Sequence, residues 1–302
     1  MTNCQQLSWC AQAVLALETP QPHTWCSGCG NYGILNALMH AIALEGIAPH
    51  RMVLVADVGC NGNVSDKILT NTVHGLHGRS LPLACGIHVA NPEMPVFVMA
   101  GDGATMSEGV NHLIHTARNN YNITFLLHNN FNYGLTTGQA SATTLQWVSM
   151  RGTVGEVSAT PLVPAKLVLA SWWTFFARWY SGNREHLTEL IRAGVRHQWF
   201  SCIEVLQACP TYSKETNEKR YRSALYDVGP EHDTTDVYAA MKLAERTDRR
   251  ATGILYHDTH ARDFYAMQPQ RTGCTTSLVE EVEQQRIDTL LQAYLVNAPE
   301  RC

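Results

Sequence analysis

The sequence carries a Gly-Asp-Gly triplet at residues 101–103 and, 25 residues further along, the adjacent asparagines Asn129 and Asn130. Asp102 offers a carboxylate and Asn130 a side-chain carbonyl, which are hard oxygen ligands that suit Mg²⁺, and such an ion keeps positions open for phosphate oxygens. The two glycines let a backbone turn approach a phosphate closely, and the amides of a following helix add positive partial charge there. The spacing therefore favours a site for a divalent metal and a diphosphate.

The segments around these residues predict how they come together. Residues 95–100 and 123–127 are short apolar runs that predict buried strands, and apolar residues at helical spacing from Val110 to Ala117 predict a helix between them. Such a unit places the ends of both strands at one edge of a parallel sheet, where open α/β sheets bind ligands. The alternative is that Asp-Gly and Asn-Asn are ordinary turn residues.

Cys26 and Cys29 form a C-x-x-C motif that is followed by glycine and then by a predicted helix. Alone, the motif is typical of zinc, of dithiol redox chemistry or of an iron–sulfur cluster. A dithiol site favours a strand directly before the motif and zinc favours a second close pair, and the sequence offers neither. Cys60 follows the first predicted strand and Cys209 the last, so parallel neighbouring strands would bring all four cysteines to the edge that carries Asp102. One cubane cluster is the resulting hypothesis, and buried structural cysteines are the alternative.

Apolar runs and helical spacings alternate along the chain up to about residue 210. This alternation predicts an α/β fold with a doubly wound parallel sheet. Besides the elements above, the pattern predicts helices over 30–46, 164–172 and 184–197, a loop followed by a helix over 71–92, and strands over 52–56, 175–179 and 202–206.

Changes in composition predict three regions, which are an N-terminal extension over 1–22, a main domain over 23–212 and a C-terminal extension over 213–302. The C-terminal region begins charged and turn-rich, and we expect it to pack on the domain or on a partner subunit. Within the two extensions the pattern predicts helices over 11–17, 235–246 and 277–295 and an irregular segment over 257–275.

Composition excludes several classes of function. The chain has 302 residues, of which 45% are hydrophobic, so it can bury a substantial core. A net charge of −4 without a basic run argues against nucleic acid as a partner. No apolar stretch reaches the length of a membrane span, and the N-terminus lacks the features of a signal peptide, so we expect a cytoplasmic protein. Ten cysteines in a reducing compartment favour metal or redox use, although Cys85 and Cys202 lie in apolar sequence and are predicted to be structural.

Seven motifs in order resemble the β subunit of 2-oxoacid:ferredoxin oxidoreductases. The resemblance covers about residues 20–215 and rests on WCSGCGNYG, DVGC, HGLHGR, LACGIHVANPE, GDG with NHLIHTARNN, HNNFNYGLTTGQAS and QACPTY. Thiamine diphosphate enzymes in general share the Gly-Asp-Gly to Asn pattern, whereas the cysteines and the HGR segment narrow the resemblance to this family. It implies the thiamine diphosphate-binding fold, of which this chain would form the diphosphate-binding half.

The family's cofactors map onto matching positions of this chain. The resemblance implies that Asp102 and Asn130 hold Mg²⁺ through their side chains and Asn132 through its backbone carbonyl. It also implies one [4Fe-4S] cluster, whose ligands would be Cys26, Cys29, Cys60 and Cys209. The implied contacts to thiamine diphosphate come from Gly28, Gly30, Asn31, Gly101, Asp102, Gly103, Ala104, Asn130, Asn132, Gly134, Leu135 and Thr136. Ala104 departs from the family, which usually has a further acid there.

The resemblance also implies a reaction and its partners. The reaction would be the coenzyme A-dependent oxidative decarboxylation of a 2-oxoacid to acyl-CoA and CO₂, with electrons passing through the cluster to ferredoxin. An α chain, or a fused γα chain, would complete the active site in a heterodimer or a dimer of heterodimers. It would supply the pyrimidine-binding half and the glutamate that activates the cofactor, for which this chain offers no candidate.

The segment VHGLHGR holds the catalytic candidates His77 and Arg79. If it faces the site, His77 can donate a hydrogen bond to a developing oxyanion and Arg79 can pair with a carboxylate or phosphate. The alternative is a structural loop held by histidine hydrogen bonds.

Three further alternatives remain open at this stage. The W-C-x-G-C-G-N opening resembles 2-oxoglutarate enzymes more than pyruvate enzymes, which implies 2-oxoglutarate as the acid, with a pyruvate:ferredoxin oxidoreductase β subunit as the alternative. A non-redox thiamine diphosphate decarboxylase half, with cysteines that bind zinc or nothing, is disfavoured by the complete cysteine set. A non-catalytic assembly subunit is disfavoured by the intact Asp102, Asn130 and cysteines.

Overall fold

A central eight-stranded sheet organises the computed structural model, which describes residues 11–171, 173–213, 216–246, 249–271 and 276–284 together with Gln292. The strands are β1 (Val53–Ala56), β2 (Asn71–His74), β3 (Val96–Gly101), β4 (Ile123–Asn129), β5 (Phe175–Tyr180), β6 (Ser201–Leu206), β7 (Leu225–Asp227) and β8 (Arg250–His257). Their order across the sheet is β2-β1-β3-β4-β6-β5-β8-β7. β5 and β8 pair antiparallel, and the other neighbouring strands pair parallel. The predicted α/β fold with a mainly parallel sheet is confirmed.

Helices cover both faces of this sheet. Because successive strand residues point to opposite faces, Leu54 packs in one apolar core whereas Val53 and Val55 pack in the other. The helices Asn31–Leu44 and Arg184–Arg196 supply the first core. The second core is supplied by the helices Ser80–Ala90, Val110–Asn119, Pro164–Ala170 and Val237–Glu245. Two further described helices are Glu218–Ala224, which lies between β6 and β7, and Leu278–Gln284, which follows β8 in the chain. Within the described ranges, no helix is long and apolar enough to cross a membrane.

Three strands, β2, β7 and β8, lie where the sequence pattern predicted none. β2 was expected to be loop, but it pairs with β1 as an exposed edge strand, and its polar residues show no apolar alternation that could have predicted it. β8 lies in the predicted C-terminal extension and pairs with β5 across a register shift. The central sheet therefore continues beyond the predicted boundary near residue 212. The predicted helix over 277–295 is confirmed up to Gln284, and the rest of it lies outside the described residues apart from Gln292.

The parallel register brings four strand ends to one edge of the sheet. Gly101 at the end of β3 lies opposite His128 of β4, and Asn129 of β4 lies opposite Leu206 at the end of β6. β1 ends level with β3, since Ala56 pairs with Met99. The segments that follow these strands contain all the sequence-predicted ligands except the C-x-x-C pair. The predicted convergence at one edge is thus confirmed for the strands themselves.

Candidate active site

A cavity of about 280 Å³ lies at this edge of the sheet. Its walls come from the segments that follow β1, β3, β4 and β6, so side chains far apart in sequence face one space. Cys60 lines it beside the predicted magnesium ligands Asp102, Asn130 and Asn132. Of the other residues predicted to contact the cofactor, those that line it are Gly101, Gly103, Ala104, Gly134, Leu135 and Thr136. Gly28 and Gly30 instead line a separate pocket of about 250 Å³, next to Cys29.

The Asp102 carboxylate is buried and held by three donors. Its Oδ2 accepts hydrogen bonds from Ser141 Oγ at 2.5 Å and from Thr143 Oγ1 at 2.6 Å. Its Oδ1 accepts from the backbone N–H of Asn130 at 3.3 Å. Burial raises the pKa of Asp102 to about 6, and these hydrogen bonds oppose that effect. A buried carboxylate of this kind gains a charge partner when a divalent cation binds beside it.

The turn after β4 aims two asparagines at the cavity. Asn130 Oδ1 accepts from the backbone N–H of Asn132 at 3.1 Å, and Asn132 Nδ2 donates to the Asn130 carbonyl at 2.8 Å. Phe131 between them has a φ of 60°, a conformation that is uncommon for a bulky residue. Its backbone is held at both ends, because its N–H donates to Asn129 Oδ1 and its carbonyl accepts from Thr144 Oγ1. The strained residue thus keeps both amides at the cavity wall.

Two glycines, which have no side chain, leave space in and around the cavity. A Cβ at Gly103 would overlap the ring of Tyr133, and a Cβ at Gly134 would stand 3.4 Å from Cys60 Sγ. The turn after Asp102 is a π-helix over Gly103–Glu108, although the sequence predicted only a turn and an ordinary helix. π-Helical turns widen the backbone and are frequent at functional sites.

The C-x-x-C turn is fastened to the ends of β1 and β6. Trp25 Nε1 donates to the Cys60 carbonyl at 2.6 Å, and the backbone N–H of Gly30 donates to the Ala208 carbonyl at 2.9 Å. Gln207 Nε2 donates to Cys29 Sγ at 3.5 Å. The structure therefore brings the N-terminal cysteine pair to the segments that carry the other two predicted ligands.

The four predicted cluster thiols lie within electrostatic reach of one another. Burial, together with negative charge on Cys29, Cys209 and Cys26, raises the pKa of Cys60 to about 12. Burial raises the pKa of Cys29, which its neighbours Cys209 and Cys26 also raise, while the Gln207 hydrogen bond lowers it. Metal binding requires deprotonated thiols, so a metal centre bound here would have to offset the unfavourable effect of burial and mutual repulsion on the thiolates.

The two cysteines predicted to be structural have other surroundings. Cys202 is fully buried in the second apolar core. Cys85 packs against the same core, with its Sγ 3.4 Å from Thr116 Oγ1.

His77 lines the cavity and Arg79 has other contacts. His77 Nδ1 donates to the Val58 carbonyl at 2.9 Å, and Nε2 lies 3.4 Å from Glu108 Oε2. Arg79 Nη1 donates to the carbonyls of Gly78 and Glu108. The predicted role of His77 at the site stays a prediction that its position supports, whereas the hydrogen bonds of Arg79 match the structural alternative.

A buried aspartate holds the HGR segment at the site. The Asp57 carboxylate accepts from the backbone N–H groups of Val58, Gly78 and Ser80 at 2.8, 2.9 and 3.2 Å. It thereby joins the DVGC segment that carries Cys60 to the loop that carries His77.

Sequence analysis missed several polar residues of the site. His128 and Gln207 line the cavity, and Ser141 and Thr143 hold Asp102. His128 Nδ1 lies 2.9 Å from the Oδ1 of Asn31, a predicted cofactor contact that does not itself line the cavity, while His128 Nε2 has no hydrogen-bond partner. A histidine directly before the asparagine pair and a hydroxyl-rich segment after it were the available signals.

Comparison with known proteins defines the class to which this fold and cavity belong. Residues 57–205 match a family model described as the C-terminal TPP-binding domain of thiamine pyrophosphate enzymes. Residues 209–271 match a model described as the C-terminal part of the pyruvate ferredoxin oxidoreductase beta subunit. The chain therefore matches a thiamine diphosphate-binding domain followed by the C-terminal segment of a ferredoxin oxidoreductase β subunit.

Individual relatives place the chain more closely. It is 36% identical over 266 residues to subunit beta of 2-oxoacid:ferredoxin oxidoreductase 2 from Aeropyrum pernix, covering 84% of this chain and 86% of the relative. It is 32% identical over 253 residues to the 2-oxoglutarate oxidoreductase subunit KorB of Mycobacterium tuberculosis, covering 79% of this chain and 68% of that relative. A solved 2-oxoglutarate:ferredoxin oxidoreductase from Magnetococcus marinus superposes with a TM-score of 0.83 at 31% identity, covering 90% of this chain and 96% of that one. This chain belongs to the family of 2-oxoacid:ferredoxin oxidoreductase β subunits, and the predicted resemblance is confirmed.

Proposed function

We propose that this chain binds the diphosphate of thiamine diphosphate with Mg²⁺ in the 280 Å³ cavity, and that its four predicted cysteines hold one [4Fe-4S] cluster beside it. One observation carries the proposal, which is that Cys60 and the turn containing Asn130 and Asn132 line the same cavity. A cysteine ligand in the wall of the cofactor site brings a cluster next to the place where electrons are released.

The donor set fits magnesium. Asp102 supplies the carboxylate, and the turn after β4 supplies amide and carbonyl oxygens at the same wall of the cavity. Few protein ligands, with positions left open for phosphate oxygens, are what Mg²⁺ uses in phosphate-binding sites. Ser141 and Thr143 both donate short hydrogen bonds to Oδ2 of Asp102, whereas Oδ1 accepts one longer bond from the Asn130 N–H, so Oδ1 would be the oxygen with more capacity to bind a metal.

The cysteines fit a four-iron cluster better than a single ion. Among the residues that the structure describes, no three His, Cys, Asp or Glu side chains converge closely enough to hold one metal ion. A [4Fe-4S] cluster binds each cysteine to a different iron, so its ligands surround a larger volume. The hydrogen bonds from Trp25 to the Cys60 carbonyl and from Gly30 to the Ala208 carbonyl bring the C-x-x-C turn to the segments of Cys60 and Cys209, which supports that arrangement.

The proposed reaction is the coenzyme A-dependent oxidative decarboxylation of a 2-oxoacid, with ferredoxin as the electron acceptor. Bound thiamine diphosphate supplies the carbon nucleophile and the electron sink for loss of CO₂. From this chain, His77 places its imidazole at the cavity wall, with Nδ1 bonded to the Val58 carbonyl, where the ring can act on a developing negative charge. An α chain, or a fused γα chain, completes the cavity in a heterodimer or a dimer of heterodimers, located in the cytoplasm.

We propose 2-oxoglutarate as the acid. The relatives include KorB subunits whose names specify 2-oxoglutarate, and the superposed Magnetococcus marinus enzyme was solved with 2-oxoglutarate, coenzyme A and succinyl-CoA bound. Pyruvate remains the competing substrate, because the C-terminal family model is described for a pyruvate enzyme.

The test is anaerobic co-purification of the full chain with its neighbouring subunit. We expect brown protein with broad absorption near about 400 nm and about four irons per chain, and 2-oxoglutarate should reduce a viologen dye faster than pyruvate does. Cys209→Ser should lose iron and colour, whereas the control Cys85→Ser should keep both. Colourless wild-type protein, or protein that holds zinc, would favour a non-redox decarboxylase half, and faster reduction by pyruvate would overturn the substrate assignment.

A further inference from the structure

Gln207 is the one side chain, among those the structure describes, that lines the cofactor cavity and also donates a hydrogen bond to a predicted cluster ligand. It lies directly after β6 and two residues before Cys209. Its Nε2 donates to Cys29 Sγ at 3.5 Å. It is the first residue of the QACPTY motif, in which the resemblance gives a role to Cys209 alone.

The donor is held firmly in place. Gln207 is 2% exposed. Its backbone N–H donates to the Asn129 carbonyl at 2.9 Å, and its own carbonyl accepts from Tyr221 Oη at 3.2 Å. These contacts tie it to the magnesium turn on one side and to the helix Glu218–Ala224 on the other.

Gly30 makes room for this side chain. A Cβ at Gly30 would stand 2.8 Å from Gln207 Cγ, a separation that real side chains do not adopt. The glycine directly after Cys29 is therefore what lets the C-x-x-C turn lie against the Gln207 side chain. The Gln207 side chain is buried and crowded, so it is already ordered before a cluster binds. Its hydrogen bond to the Cys29 sulfur therefore costs little additional side-chain entropy.

We infer that Gln207 raises the reduction potential of the [4Fe-4S] cluster by donating its side-chain amide hydrogen bond to the Cys29 sulfur. The inference rests on the proposed function, since it requires the cluster. Reduction adds one negative charge to the cluster and its sulfurs, and an N–H dipole aimed at a sulfur stabilises the more negative state. Hydrogen bonds to the sulfurs are one of the factors that set the potentials of such clusters.

The test is a potentiometric titration followed by electron paramagnetic resonance on the anaerobically purified complex. Gln207→Met keeps the length of the side chain and removes the donor. We expect its reduction equilibrium to shift roughly threefold to tenfold towards the oxidised form, which is a fall of about 28 to 59 mV for a one-electron couple. Gln207→Leu should shift in the same direction.

Ser181→Ala is the matched control. Ser181 Oγ accepts from the Ala208 N–H at 3.2 Å, so this variant loosens the same segment without touching the Cys29 sulfur. Its potential should stay at the wild-type value.

The outcomes separate this inference from the proposed function. Wild-type protein without a cluster signal would remove the proposed function. A cluster whose potential is unchanged in both Gln207 variants, or lowered equally by Ser181→Ala, would overturn the inference alone. Loss of the cluster in both Gln207 variants, with Ser181→Ala intact, would also overturn it, because Gln207 would then be a structural support.

Discussion

The guanidinium of Arg250 lies over the ring of Phe131, with 4.7 Å between its central carbon and the ring centroid. Arg250 opens β8, a strand near the C-terminus, whereas Phe131 is the strained residue of the turn that carries Asn130 and Asn132. The segment that resembles ferredoxin-linked enzymes therefore contacts the proposed magnesium turn directly. This contact connects the two family-matched regions at the site.

Arg250→Met should weaken the binding of thiamine diphosphate in the presence of Mg²⁺. A cation–π contact contributes about 0.5–2 kcal/mol, so loss of this support to the Phe131 turn predicts an affinity roughly threefold to thirtyfold lower. Titration calorimetry on the purified complex measures this affinity for thiamine diphosphate. The control is Arg249→Met, whose guanidinium stacks on Tyr226 at 5.3 Å, away from the turn. Equal affinities for the two variants would contradict a supporting role for Arg250.

The hydroxyls that hold Asp102 should control magnesium affinity. Ser141→Ala and Thr143→Val each remove one donor to Oδ2. Loss of a group that orients a metal ligand typically costs about tenfold to a hundredfold in metal affinity. Magnesium add-back after treatment with a chelator, followed by the quenching of tryptophan fluorescence on cofactor binding, measures the effect. Thr160→Ala, at an exposed threonine, should behave as wild type, and wild-type magnesium affinity in both site variants would argue against Asp102 as a ligand.

Substitution of His77 should mainly lower turnover, whereas substitution of Arg79 should mainly lower stability. His77→Gln removes the cavity-lining imidazole, and proton donors of this kind contribute about 10²- to 10⁴-fold to kcat. Arg79→Ala should lower the free energy of unfolding by about 0.5–1.5 kcal/mol through its lost hydrogen bonds and should change kcat by less than about tenfold, because Arg79 bonds to loop carbonyls. Viologen reduction and urea unfolding distinguish the two effects. A large loss of kcat in Arg79→Ala with unchanged stability would restore the predicted catalytic role of Arg79.

His197 should make the chain sensitive to acid. Burial, together with the neighbouring His257, lowers the pKa of His197 to about 3. The unfolded chain binds this proton near pH 6.5 and the folded chain does not, so stability is present above pH 6.5 and is lost as the pH falls towards 3. Between pH 7 and pH 5 this group should cost about 2 kcal/mol.

The measurement is urea unfolding at several pH values with His197→Gln and the exposed control His50→Gln. The His197 variant should show a flatter dependence of the free energy of unfolding on pH, and His50→Gln should follow the wild type. Parallel pH profiles for wild type and His197→Gln would contradict the assignment.

The amino-acid pattern alone was sufficient for the central architecture. Buried parallel strands are continuous apolar runs, so β3 and β4 could be predicted closely, and the residues after them could be predicted to share an edge. β2 and β8 could not, because an exposed edge strand and a strand containing Gly253 at a φ of 106° lack that pattern. Their existence depends on the partner strand beside them.

The ligands of the site were readable in the sequence because carboxylate, amide and thiol chemistry is a property of residue type. The residues that hold those ligands were not. Ser141 bonds to Asp102 across 39 positions of the chain, and Gln207 bonds to Cys29 across 178. A serine or glutamine in a loop gives no sequence signal of so distant a partner. Only the folded sheet decides which side chains share a cavity, since it is the register of parallel strands, and not their order in the chain, that brings distant strand ends together.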